Sequence, residues 1–213
     1  MAMRQHVAKN NSRETQQSRD KFGVAHQSCR TALPSGPQLR YTAPMLQSRS
    51  DIVVRKPQAL DAEALTELFA LTWRLAYSGI IPHLHLEGTI RRRNVEWWRS
   101  VTSRGDGMLI LEVNGAVAGY TTFGRARSKG QFQGEIYELY VTPTHQGLGF
   151  GEHLFEGARH ALDVRRLSGL IVWALAENDQ ACHFYWRRGG RPMARLFDTL
   201  GESKVERIAF GWR

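Results

Sequence analysis

One stretch restricts the fold more than any other part of the chain. Residues 135–141, Glu-Ile-Tyr-Glu-Leu-Tyr-Val, read as a strand. Residues 152–162, Glu-His-Leu-Phe-Glu-Gly-Ala-Arg-His-Ala-Leu, read as a helix that buries Leu154, Phe155, Ala158, Ala161 and Leu162. Between them stands His145-Gln146-Gly147-Leu148-Gly149-Phe150-Gly151, in which three glycines alternate with bulkier residues. A backbone this bare at the start of a helix leaves N–H groups unpaired and approachable, which suits an anion and phosphate above all.

The remaining elements follow from periodicity and breakers. Ile52 to Arg55 forms a first strand closed by Pro57. Asp61 then caps a helix carrying Leu65, Leu68, Phe69, Thr72, Leu75 and Ala76, which Gly79 and Pro82 end. A second helix over about 88–102 presents Ile90, Asn94, Trp97, Trp98 and Val101 on one side. Met108 to Phe123 is a hairpin about Asn114-Gly115, the dipeptide that best suits a two-residue turn of positive φ. Strand Gly134 to Val141, the glycine loop, a helix from Gly151 to about Arg166 and strand Leu170 to Leu175 come next. A short helix from near Asn178 to Gly189 and a last antiparallel pair, Leu196-Phe197 with Val205 to Trp212, complete the order. Strands outnumber crossover helices, so the expected fold is α/β with a mixed, mostly antiparallel central sheet flanked by helices.

A chain of 213 residues with 42% hydrophobic content holds one domain and a tail. Its net charge of +9 is unevenly spread: residues 1–50 carry eight Lys/Arg and two Asp/Glu, which leaves only +3 for residues 51–213. The first segment is poor in large apolar residues and is expected to be a disordered basic tail, with Met45 as an alternative start. Since the body holds no comparable excess of positive charge, composition does not point to nucleic acid. No apolar run is long enough to span a bilayer, and Cys29 and Cys182 lie far apart without metal spacing. A cytoplasmic protein without metal is the expectation.

Two familiar phosphate loops are ruled out. A Walker A loop requires Lys-Ser/Thr where Glu152-His153 stands. A dinucleotide fingerprint requires a glycine at 152 and a place in the first βαβ unit. What remains is Gln/Arg-x-x-Gly-x-Gly/Ala, met by Gln146, Gly149 and Gly151. In its setting of strand, Val-x-Pro turn, loop and helix, it resembles the acetyl-CoA pyrophosphate loop of the GNAT superfamily of N-acetyltransferases. Asn178-Asp179-Gln180-Ala181-Cys182-His183-Phe184-Tyr185 with Gly189 is similar to a second family segment. Thr72 to Pro82 resembles the acceptor-side helix and loop of many members, so the likeness covers about residues 51–213.

The resemblance implies an N-acetyltransferase that passes acetyl from acetyl-CoA to a primary amine of a small molecule or peptide, by direct attack in a ternary complex. Loop residues Gln146, Gly147, Leu148, Gly149, Phe150 and Gly151 would hold the pyrophosphate. Leu139, Tyr140 and Val141 would hydrogen-bond the pantetheine arm through their main chain, and Asn178 would bond its amides, or else cap a helix. By position Tyr185 is the general acid. For the base, Glu135 is favoured, eleven residues before Gln146; strand alternation puts Glu138 on the opposite face as the second candidate. An amine arriving neutral, with no dedicated base, is the third reading. Trp73 and Tyr77, one helical turn apart, would wall the acceptor pocket or pack in the core. Arg91-Arg92-Arg93 reads as a solvated helix face, and Cys182 has no role in direct transfer. Dimers are common among similar proteins, which leaves a homodimer open. The alternative reading is a non-catalytic sensor that binds acyl-CoA.

Overall fold

The computed structural model describes residues 51–213 apart from Lys129 and Gly201. The expected basic tail, with Met45 and Cys29, lies outside the described residues. Seven strands form one sheet: β1 (Ile52–Arg55), β2 (Met108–Val113), β3 (Ala116–Arg125), β4 (Gly134–Val141), β5 (Leu170–Leu175), β6 (Arg191–Leu200) and β7 (Ser203–Trp212). Their spatial order is β1-β2-β3-β4-β5-β7-β6, antiparallel throughout except for the β4–β5 pair. This is the mixed, mostly antiparallel sheet expected from the element order. A parallel pair needs a crossover, and α4 (Phe150–Val164) supplies it.

Helices cover both faces. On one face α1 (Ala62–Tyr77), α2 (His83–Arg92) and α3 (Val95–Arg104) enclose Leu65, Phe69, Leu86, Ile90 and Trp98 with Ile110 and Tyr120 of the sheet. On the other, Phe155, Ala158 and Leu162 of α4 and Tyr185 of α5 (Asp179–Arg187) pack on Ile136, Val172 and Phe210. The β2–β3 hairpin turns at Asn114 and Gly115, whose φ values of 52° and 81° are what a type I′ turn demands.

Three local expectations need correction. The single helix expected over about 88–102 is two helices. Asn94 is not one of its interior residues: its side chain accepts a hydrogen bond from the Trp97 N–H at 2.9 Å and starts α3 afresh. Asp61 does not cap α1 with its side chain. Its carboxylate takes two bonds of 2.9 Å from the Arg55 guanidinium and one of 2.6 Å from the Gln58 N–H, which anchors the turn before α1 to β1.

The third correction concerns β4. Thr122 pairs with Glu138 and Phe123 with Ile136, so Tyr137 is an extra residue, a bulge. Ile136 and Leu139, three residues apart, therefore both pack on the α4 side. Strict alternation fails at that point, and Glu135 and Glu138 share the sheet face opposite α4 instead of pointing apart.

The Asn94 cap sets the angle between α2 and α3. Asn94→Ala should destabilise the domain by about 1 kcal/mol in urea unfolding, with little change in the slope of the transition.

Candidate active site

The site grows from an early end to strand pairing. β4 and β5 are hydrogen-bonded only from Gly134↔Leu170 to Ile136↔Val172, whereas β5 follows β7 on to Leu175 and β4 follows β3 up to Val141. Among the described residues, the edge of β4 that faces β5 has no strand partner from the bulge onwards. Leu139, Tyr140 and Val141, the expected pantetheine contacts, lie along this edge. Apart from the Val141 carbonyl, which the Gln146 side chain takes, the main-chain groups that point away from β3 there can receive an extended guest.

Beyond Val141 a short 3₁₀ turn (Pro143–His145) leads into the glycine loop. Gly147 and Gly149 have φ values of +74° and +85°, and a Cβ added to either would meet nothing within 4 Å. Glycine is required there by backbone conformation, and the space in front of it is clear. Gly151 has a different reason: its Cβ would come within 3.3 Å of the Phe184 ring. Leu148 stands exposed at the apex, while the Phe150 side chain is buried in the core and only its main chain faces the loop. The Phe150 and Gly151 N–H groups at the start of α4 have no helical partner by geometry, while that of Glu152 bonds the Gly149 carbonyl at 2.9 Å. This arrangement fits a pyrophosphate. Glu152 brings a negative charge into the same turn, and Arg188 pairs with it.

Gln146 has a bracing position. Its side-chain amide donates to the Val141 carbonyl at 2.9 Å, and its oxygen accepts from Gln180 at 2.9 Å, tying the end of β4 to α5 beneath the loop. Asn178 caps α5, its oxygen accepting from the Ala181 N–H at 3.1 Å.

Four tyrosines stand near the gap. Tyr77 and Tyr140 meet hydroxyl to hydroxyl at 2.8 Å, which joins the end of α1 to the free edge of β4. Tyr120 donates to Glu138 at 3.2 Å. Tyr185, 6% exposed, is packed among Phe155, Phe184, Phe210 and Trp212 with ring centroids 5.3–6.3 Å away. Burial, with a smaller effect from nearby Tyr77 and Cys182, pushes its phenol well above the ordinary tyrosine value, so it holds its proton at neutral pH. Trp73 and Tyr77 stack edge to face at 5.1 Å and pack against the α1–α3 core. A cleft of about 460 Å³ opens beside Tyr77, between the 78–83 turn, Leu86 and Ser203.

The two carboxylates stand apart from one another. Glu135 is 1% exposed, at the closed end where β4 and β5 still pair, and Arg127 holds it through its main-chain N–H at 2.7 Å and its guanidinium at 2.6 and 3.1 Å. Glu138 lies past the bulge, beside the gap, with Arg93 at 2.6 Å. The sequence reading missed Arg93 and Tyr120. Arg93 belongs to a run of three arginines that reads as a solvated helix face, yet it directly precedes the Asn94 cap, and that helix break turns it inward.

Gly149→Ala isolates the conformational requirement, because the added methyl has room. It should lower stability by about 1 kcal/mol in denaturant unfolding without disrupting the core.

The geometry has counterparts among known proteins. The sequence model of the Acetyltransferase (GNAT) family matches residues 63–189. An uncharacterized N-acetyltransferase of Bacillus subtilis (strain 168), YuaI, is 24% identical over 162 residues, 76% of this chain and 92% of that protein. The L-amino acid N-acyltransferase MnaT of Escherichia coli (strain K12) is 39% identical over 99 residues, 45% of this chain and 56% of that enzyme. Among solved structures, PaiA N-acetyltransferase of Thermoplasma acidophilum in complex with coenzyme A superposes with a TM-score of 0.62 at 19% identity, covering 76% of this chain and 99% of that one. The acetyltransferase YncA of Salmonella typhimurium with acetyl-CoA gives 0.57 at 20% identity, covering 76% and 93%. The match over more than half of the chain, on this fold, makes it a member of the GNAT family of acetyl-CoA-dependent N-acetyltransferases.

Proposed function

We propose that the chain transfers acetyl from acetyl-CoA to a primary amine of a small molecule by direct attack in a ternary complex. The observation that carries this reading is the strand edge of β4, unpaired with β5 beyond Ile136, leading into the open glycine loop. Two relatives bear the names L-amino acid N-acyltransferase and L-methionine sulfoximine/L-methionine sulfone acetyltransferase, which directs the acceptor towards amino acids and their analogues.

In this reading the amides of residues 147–151 grip the pyrophosphate, and residues 139–141 align the pantetheine as an added strand. Asn178 offers its side-chain amide to the same arm. Bound acetyl-CoA supplies the activated acyl carbon and a thiolate leaving group. A main-chain N–H of the β4 edge polarises the thioester oxygen as the amine attacks, a donor fixed in place before charge develops. Tyr185 donates its proton to the departing sulfur and regains one from water; its burial keeps the phenol in its acid form between turnovers. Trp73 and Tyr77 form the wall between the α1–α3 core and the acceptor.

For deprotonation, the engagement of both carboxylates by arginine favours an amine that enters uncharged and gives its last proton to water. Glu135 then serves to fix the bulge, holding the 126–127 segment against β4.

Thiol release with a panel of amino acids, their analogues and peptides tests the activity. Saturable acetyl-CoA binding with no release from any amine would make the chain a sensor, and no binding would end the reading altogether. Across a series of amines the rising limb of kcat/KM with pH should track each amine's own pKa. A limb fixed at one value for all acceptors would restore an enzymic base. At the alkaline end the rate should hold past pH ~10, the ordinary tyrosine value, because the acid form of Tyr185 persists above it. Tyr185→Phe should lower kcat by about a hundredfold while leaving the calorimetric Kd for acetyl-CoA nearly unchanged.

A further inference from the structure

The break between α2 and α3 places Arg93 in an unusual setting. Its guanidinium lies 4.5 Å from the centroid of Phe69, 4.7 Å from that of Trp97 and 5.9 Å from that of Trp73, within reach of rings from both α1 and α3. It donates to Glu138, and the two side chains are only 23% and 14% exposed. Three aromatic rings and a carboxylate are the chemistry that receives an organic cation. The chain fills this site with a cation of its own.

The location gives the filling a consequence. Glu138 is two residues before Tyr140, whose hydroxyl meets that of Tyr77, and Tyr77 is followed by Ser78 on the wall of the open cleft. Contacts from Glu138 to Tyr120, from the Tyr120 ring to Tyr140 and from the Tyr140 hydroxyl to Tyr77 thus join the caged ion pair to the start of the cleft wall. We propose that Arg93 is a specificity-determining residue, a resident cation that occupies this aromatic and acidic site and bars acceptors carrying a second positive group. The inference rests on the acceptor-side reading given above. The preferred acceptor is then a monoamine, since a diamine finds the one carboxylate of the cage already paired and its distal ammonium gains no partner there.

The test compares butylamine with 1,4-diaminobutane in the wild type, Arg93→Met and Arg93→Lys. The wild type should prefer butylamine. Arg93→Met, which frees Glu138 at similar side-chain volume, should raise the diamine-to-monoamine ratio of kcat/KM at least about tenfold, and Arg93→Lys should keep the wild-type ratio. A second readout is independent of turnover. Trp73 and Trp97 line the cage, so tryptophan fluorescence of Arg93→Met should respond saturably to low millimolar methylguanidinium or 1,4-diaminobutane, while the wild type should not. Equal use of both amines by the wild type overturns the proposal, even if Arg93→Met fails to fold. So does a folded Arg93→Met with an unchanged ratio and no fluorescence response. Failure of the acetyltransferase reading has a different signature: no amine releases thiol, while the fluorescence response remains.

Discussion

The β4–β5 ladder stops after three residue pairs, and the open strand edge on which the proposed chemistry relies exists because of that stop. Each strand keeps a partner on its far side, β3 for β4 and β7 for β5, so the two can separate without losing their place in the sheet. The Tyr137 bulge sits where they separate and adds local twist. A bare strand edge is a template for pairing, and most proteins cover or blunt it. Here it is held open between two helical layers, with the start of α4 at one end and an aromatic cluster at the other.

Charge within the domain is organised by the same need to satisfy buried groups. Asp61, Glu135 and Glu138 are largely withdrawn from water, and each is held by an arginine: Arg55, Arg127 and Arg93. Removing a carboxylate from water is unfavourable unless a partner with good geometry compensates it. In each case the arginine comes from a different element: the start of the sheet, the β3–β4 connection and the α2–α3 break. These pairs therefore fix how loops and helix ends sit on the sheet, and they leave no unpaired carboxylate among the three to serve a reaction.

Much of this was legible in the residues. The spacing of Leu154, Phe155, Ala158 and Leu162 reported a buried helix face directly, and Asn114-Gly115 named its own turn. The glycines of the loop announced both their conformation and the open ground before it. Three-dimensional register was harder to see. Nothing in Glu-Ile-Tyr-Glu-Leu-Tyr-Val marks residue 137 as supernumerary, because a bulge is defined by the partner strand and not by its own side chains. That hidden residue reversed the expected relation of Glu135 and Glu138. Arg93 was obscured in a similar way: among three consecutive arginines only the one beside the Asn94 cap turns inward, and seeing this required the helix to end.

The bulge also bears on how β4 can change over generations. Gly134 to Ile136 are registered against β5, whereas Glu138 to Val141 are registered against β3 after the slip. Losing Tyr137 would restore simple alternation. Every other side chain would keep its layer, since Glu135 and Glu138 already share one face and Ile136 and Leu139 the other; what would go is the bond from the Tyr137 hydroxyl to the Arg125 carbonyl. A further residue gained inside the strand would instead exchange charged and apolar groups between the layers, so over generations this segment should shorten at the bulge more readily than it lengthens.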